Sequence, residues 1–94
     1  MPIQSIRHKG LRRLFEKGDA RGLPAASVDK LRDMLLAIHT ARAITDVDVI
    51  PGWRLHPLKG KLAGHWSLTV TGNWRLVFRF EDGDAFDVDL LDYH

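Results

Sequence analysis

A chain of 94 residues, 45% hydrophobic and 28% charged, has the composition of one folded domain spanning residues 1–94, which excludes a disordered chain or a second lobe. No stretch approaches about eighteen consecutive apolar residues, the start MPIQSIRHKG lacks the apolar run of a signal peptide, and no cysteine is present. Membrane spans, disulfides and thiolate metal sites are therefore excluded, and a cytoplasmic location is expected.

The net charge of +2 is unevenly spread: residues 1–61 hold twelve Lys/Arg against six Asp/Glu, whereas residues 62–94 hold two against six. Either the basic part turns a cationic face to a polyanion, or the two parts neutralise each other across the fold.

The segment IQSIRH opens in extended style, anchored by Ile3 and Ile6. HKGLRRLFEKGD places Leu11, Leu14 and Phe15 at helical spacing, with Gly18 as a C-terminal stop. A second helix is predicted from about Pro24 to His39, where Val28, Leu31, Leu35 and Ile38 form one apolar stripe. A loop follows to Pro51-Gly52. WRLHPL reads as a short strand, ended or held at an edge by Pro57. Three further strands alternate: Trp66, Leu68 and Val70; then Trp74, Leu76, Phe78 and Phe80; then Phe86, Val88 and Leu90.

All three apolar series fall on even numbers, so opposed residues must sum to an even value. That parity asks for a three-residue loop, Thr71-Gly72-Asn73, in the first hairpin. It asks equally for a three-residue loop, Glu81-Asp82-Gly83, in the second, with Gly83 as a left-handed bulge residue. The second loop would set Phe78 opposite Phe86, Leu76 opposite Val88 and, on the other face, Arg75 opposite Asp89. The expected fold class is α+β: β-α-α-β-β-β, two N-terminal helices on one face of a small, mostly antiparallel twisted sheet. The opposite face, with Ser67, Thr69, Arg75, Arg79, Asp87 and Asp89, would be polar.

Chemistry concentrates in three places. RLHPLKG (residues 54–60) gathers Arg54, His56 and Lys59 around a proline. An imidazole can give or take a proton near neutral pH, and a nearby ammonium favours an anionic substrate; a plain strand end would look similar. Arg75 in NWRL offers a guanidinium fork suited to a phosphate, or an ordinary cross-strand pair with Asp89. The ending LLDYH brings Asp92, Tyr93 and His94 together. A phenol ring is a stacking platform for an unpaired base, and an Asp beside a His can orient it for proton transfer. Five histidines occur without HxxxH or HExxH spacing, and there is no Gly-rich phosphate loop and no GxSxG. No metal or cofactor is expected, and the remaining kit suits metal-independent RNA cleavage.

IQSIRHKGLRRLFEKG, RLHPLKG, GNWRLVFRF and LLDYH, in this order from residue 3 to residue 94, resemble the HigB-type toxins of the RelE/ParE superfamily of bacterial type II toxin–antitoxin systems. The resemblance implies a microbial-RNase-like fold and a ribosome-dependent mRNA interferase that cuts messenger RNA in the ribosomal A site. By position it implies His56, Lys59, Arg75, Asp92, Tyr93 and His94 as the active-site set, with Asn73 close to the bound nucleotides; Arg54 is added as an RNA contact. It further implies a HigA-type helix-turn-helix antitoxin, through which alone operator DNA is reached. Antitoxin contact is expected on the basic helical side, near Arg12, Arg13, Lys17 and Arg21. The ParE branch, which shares the fold and poisons DNA gyrase, is the alternative.

Overall fold

A computed structural model describes residues 1–93. Helix α1 (Lys9–Lys17) starts where the sequence pattern places it, but its cap is unexpected: the Nδ1 of His8 accepts the N–H groups of Gly10 and Leu11 at 3.1 and 3.2 Å. These are among the amides that no helical carbonyl can reach. At the other end Gly18, at φ 68°, turns the chain left-handed and closes on the carbonyls of Arg13 and Leu14. The expected second helix begins four residues late. Ala25–Ser27 form a 3₁₀ turn after Pro24, and α2 proper runs Val28–Thr40, burying Leu31, Met34, Leu35 and Ile38.

The sheet has strands β1 (His56–Pro57), β2 (His65–Thr69), β3 (Trp74–Glu81) and β4 (Asp84–Asp92), antiparallel in the order β1-β2-β3-β4. The N-terminal segment runs along the free edge of β4, where Ile3 and Ile6 form parallel bridges to Ala85 and Val88. Helical side chains Leu11, Leu31, Met34, Leu35 and Ile38 meet Leu68, Leu76, Phe78 and Val88 in one core, all of them fully buried or nearly so. Each such side chain contributes roughly 1.5–3 kcal/mol by leaving water. Val47, in the loop after α2, is also fully buried, with a 3₁₀ turn at Ile44–Asp46 delivering it.

The first strand of the C-terminal region is shorter than expected. Arg54 sits at φ 51°, a left-handed conformation that interrupts extended pairing, so regular β1 shrinks to His56 and Pro57. Isolated ladder bonds continue on either side, from Thr69 N–H to the Trp53 carbonyl at 2.7 Å and from Leu58 N–H to the His65 carbonyl at 2.9 Å.

The β2–β3 hairpin has the expected register. Trp66 faces Phe78, Leu68 faces Leu76 and Thr69 faces Arg75; the Val70–Trp74 bond leaves Thr71-Gly72-Asn73 as the loop. The β3–β4 hairpin does not. Glu81 pairs with Asp84, so the turn is the two residues Asp82 and Gly83, both left-handed at φ 51° and 85°. Arg79 consequently faces Phe86, whose ring lies 4.8 Å from the guanidinium carbon, and Ala85 takes the core position expected for Phe86. Parity is restored further along by a bulge. The register shifts between Val77 and Arg79, with Asp87 at φ 54°, and thereafter Val77 faces Asp89, Leu76 faces Leu90 and Arg75 faces Leu91. The expected Phe78–Phe86, Leu76–Val88 and Arg75–Asp89 pairs are thereby replaced.

The bulged amide of Asp87 donates to Ser5 Oγ at 2.8 Å, and Ser5 N–H and hydroxyl lie on the adjoining edge segment whose carbonyl takes Val88 N–H at 3.1 Å. Ser5→Ala should orphan that amide and lower stability by about 1–2 kcal/mol, read as a lower urea midpoint at unchanged m-value. A midpoint equal to wild type would show that the bulge does not need the hydroxyl.

Candidate functional site

On the sheet face away from the helices, a groove of about 460 Å³ is lined by Arg54, Leu55, His56, Leu58, Ser67, Thr69, Arg75 and Tyr93. Register explains why these meet. His56 stands opposite Ser67 on β2, and Arg75 stands opposite Thr69 two residues further along. Residues two apart share a face, so β1, β2 and β3 each send side chains to the same surface. At strand spacings of about 4.8 Å and 3.4 Å per residue, the His56 and Arg75 backbones are roughly 12 Å apart. Both residues line the groove, and that separation leaves room for a group such as a phosphate between them. The face is less wet than expected: Ser67 and Val77, on the two central strands, are almost fully buried.

Arg75 is fixed by main chain. Its Nη1 donates to the carbonyls of Thr71, Trp74 and Gly72 at 2.7, 3.1 and 3.2 Å. Carbonyl acceptors orient a guanidinium without cancelling its charge, whereas a carboxylate would cancel it. Asp89, the carboxylate expected across from Arg75, stands opposite Val77 instead and accepts Leu90 N–H at 2.9 Å.

Tyr93 is brought to the groove by its backbone, whose N–H donates to the Asn73 carbonyl at 2.7 Å. The residue is 41% exposed, and its ring centroid lies 5.8 Å from the Arg75 guanidinium carbon. That distance allows a cation–π contact and leaves ring surface open for stacking.

Charge is sorted along the sheet. Among the described residues the groove lining holds two arginines, one histidine and no carboxylate. At the opposite end of β3 and β4, Glu81 pairs with Arg79, which also donates to Asp87 at 3.4 Å. Glu81 and Asp87 of the acidic C-terminal part are thus engaged by Arg79, away from the groove lining.

Of the residues singled out by sequence, the structure brings Arg54, His56, Arg75 and Tyr93 into one lining, with Asn73 tied to Tyr93 through its carbonyl. Lys59 is exposed next to groove-lining Leu58, where it precedes the 3₁₀ turn Gly60–Leu62, but it does not line the groove itself. Asp92, the last residue of β4, is exposed opposite Trp74. His94 lies outside the described residues. Leu55, Leu58, Ser67 and Thr69 are lining residues that sequence reasoning did not assign to a site; parity alone marks the last two as belonging to this face. Among the described residues no group of three or more His, Asp or Glu side chains is arranged to hold a metal ion.

On the helical side, Arg12, Arg13 and Lys17 are exposed, whereas Arg21 is held by Asp19 at 2.7 Å. The hydrogen bonds from Arg21 bring the Asp19 carboxyl down to about 2.

A family model described as the RelE-like toxin of type II toxin–antitoxin system HigB matches residues 4–94. The chain is 49% identical over 92 residues to Endoribonuclease HigB of Proteus vulgaris, covering 98% of this chain and 99% of the relative. It is 32% identical over 90 residues to Toxin HigB-1 of Vibrio cholerae serotype O1, covering 95% and 94%. Among solved structures, the YoeB/ParE toxin from Agrobacterium tumefaciens shares the fold, with a TM-score of 0.58 over 100% of this chain and 99% of that one at 22% identity.

The unmasked cations predict salt-sensitive binding of a single-stranded RNA oligonucleotide. Arg54→Ala should flatten the slope of log affinity against log salt by about 0.7, one phosphate contact on a single strand. Fluorescence anisotropy at several salt concentrations measures this, and an unchanged slope would remove Arg54 from the contact surface.

Proposed function

Because the chain belongs to the RelE-like HigB toxins of type II toxin–antitoxin systems, we propose that it is an endoribonuclease that cuts messenger RNA in the ribosomal A site. The observation that carries this reading is the convergence of an imidazole, two guanidinium groups and an exposed tyrosine on one groove. The relative that is 49% identical bears the name of an endoribonuclease.

The reaction is attack of a ribose 2′-oxygen on the adjacent phosphorus. The 2′-O–P bond forms and the P–5′-O bond breaks, leaving a 2′,3′-cyclic phosphate and a free 5′-hydroxyl. One proton leaves the 2′-hydroxyl and one reaches the departing 5′-oxygen. His56 and His94 share these two transfers, with Asp92 orienting or assisting them. Arg75 and Lys59 counter the charge that builds on the phosphorane oxygens, a role for which a rigidly held guanidinium is suited because it needs no reorganisation. Tyr93 stacks on a base, and Arg54 and Asn73 contact the flanking nucleotides. No step in this scheme calls for a metal.

Membership in a toxin–antitoxin family implies an antitoxin partner. We assign this to a HigA-type helix-turn-helix protein seated on the helical side, near Arg12, Arg13 and Lys17 and away from the groove. Support comes from an apolar depression there, lined by Leu14, Phe15, Gly18, Arg32, Leu35 and the 60% exposed Leu36. A ribosomal target places the protein in the cytoplasm. A gyrase-directed, ParE-like action rests on the shared fold alone.

Induction in growing cells should produce fixed mRNA ends by primer extension, and these ends should vanish when translation is blocked. His56→Ala and Arg75→Ala should each reduce cleavage by at least about a hundredfold and relieve growth arrest, with circular dichroism unchanged. Intact message together with a DNA-damage response would replace this reading by the gyrase-directed one.

A further inference from the structure

The loop between β2 and β3 bonds two of the groove's lining residues through its main chain. Its Thr71 and Gly72 carbonyls, with that of Trp74, seat Arg75, and its Asn73 carbonyl seats Tyr93. The loop is closed internally by Trp74 N–H on Thr71 Oγ1 at 3.2 Å, and by Val70 N–H on the Trp74 carbonyl at 3.0 Å. One further contact comes from the other layer of the molecule. Lys30 on α2 donates from Nζ to the Val70 carbonyl at 2.8 Å, a bond that is partly buried and joins residues 40 positions apart.

Two features set this lysine apart. An ammonium-to-carbonyl bond is charge-assisted and therefore stronger than a neutral one. Lys30 also lies in the first turn of α2, where the helix dipole disfavours a positive charge. The helix dipole gives this charge no stabilisation; its hydrogen-bond partner is the loop carbonyl of Val70.

We propose that Lys30 is a positioning residue for RNA cleavage, acting through the Val70 carbonyl to hold the β2–β3 loop and, through that loop, the Arg75 guanidinium and Tyr93. This rests on the RNA-cleaving reading of the groove. Lys30 touches no lining residue of the groove in this network and acts from behind the sheet.

The test compares Lys30→Met, which keeps the aliphatic stem and removes the donors, with Lys30→Arg, which restores a donor. On ribosomes programmed with a defined message, Lys30→Met should lower kcat about tenfold, the scale expected when a reactive group is slightly misplaced, with KM within twofold. Lys30→Arg should recover most of the loss. Combined with Arg75→Lys, the Lys30→Met loss should shrink, because both act on one guanidinium. An unchanged kcat, a loss carried by KM, or losses that multiply in the double variant would overturn the proposal. Should wild type itself leave the message intact, the RNA-cleaving reading fails and amide exchange still decides the structural half. Val70 and Thr71 amides should then exchange about tenfold faster in Lys30→Met, and unchanged protection would overturn the loop-holding role. Lys30→Gln serves for the same comparisons if Lys30→Met does not fold.

Discussion

The N–H of Asp87, removed from the β ladder and donated to the Ser5 hydroxyl, is the contact on which the placement of the carboxy-terminal strand depends. Side chains alternate across a sheet, so the two-residue turn at Asp82-Gly83 would have sent Leu91 and Tyr93 to the core face. One extra residue in β4 reverses that. Ahead of the bulge, Ala85 reaches the core and Phe86 lies under Arg79; beyond it, Leu90 reaches the core and Tyr93 reaches the groove. The N-terminal edge segment thus supplies the acceptor for the amide that the bulge takes out of the ladder, 82 positions away in sequence.

The groove is built from strands that are individually weak. β1 contributes two regular residues, and its neighbours pair only through single bonds. Precision comes instead from the β2–β3 loop, whose carbonyls converge on one nitrogen of Arg75 and on the tail amide. Main-chain carbonyls suit this task because they are fixed by the hairpin and carry no net charge. The far end of the same strands holds the compensating carboxylates around Arg79, so the sheet is polarised along its length.

The helices, the core stripe and the β2–β3 register were legible because each rests on uninterrupted periodicity. Leu31, Leu35 and Ile38 repeat at helical spacing, and Trp66, Leu68, Trp74, Leu76 and Phe78 alternate without a break. β4 was misread at the point where its period slips, since an aspartate in a left-handed conformation leaves no glycine to announce it. The requirement for even parity was sound; its repair lies inside the strand and not in the turn. The cap at His8 was hidden for a similar reason, because histidine is not a usual capping residue. Val47 escaped notice as a lone apolar residue in a polar loop. Within the site, His56, Arg75 and Tyr93 could be named from residue type, parity and family resemblance together. Their convergence depends on strand order and register, which a linear pattern does not carry.

Arg54 combines a groove position with a backbone conformation that side chains with a Cβ adopt at a cost of about 1–2 kcal/mol. Glycine there would relax the chain and remove the cation. The groove thus carries one of its two guanidinium groups on strained backbone, and the chain cannot be relaxed at that position without losing a cation from the lining.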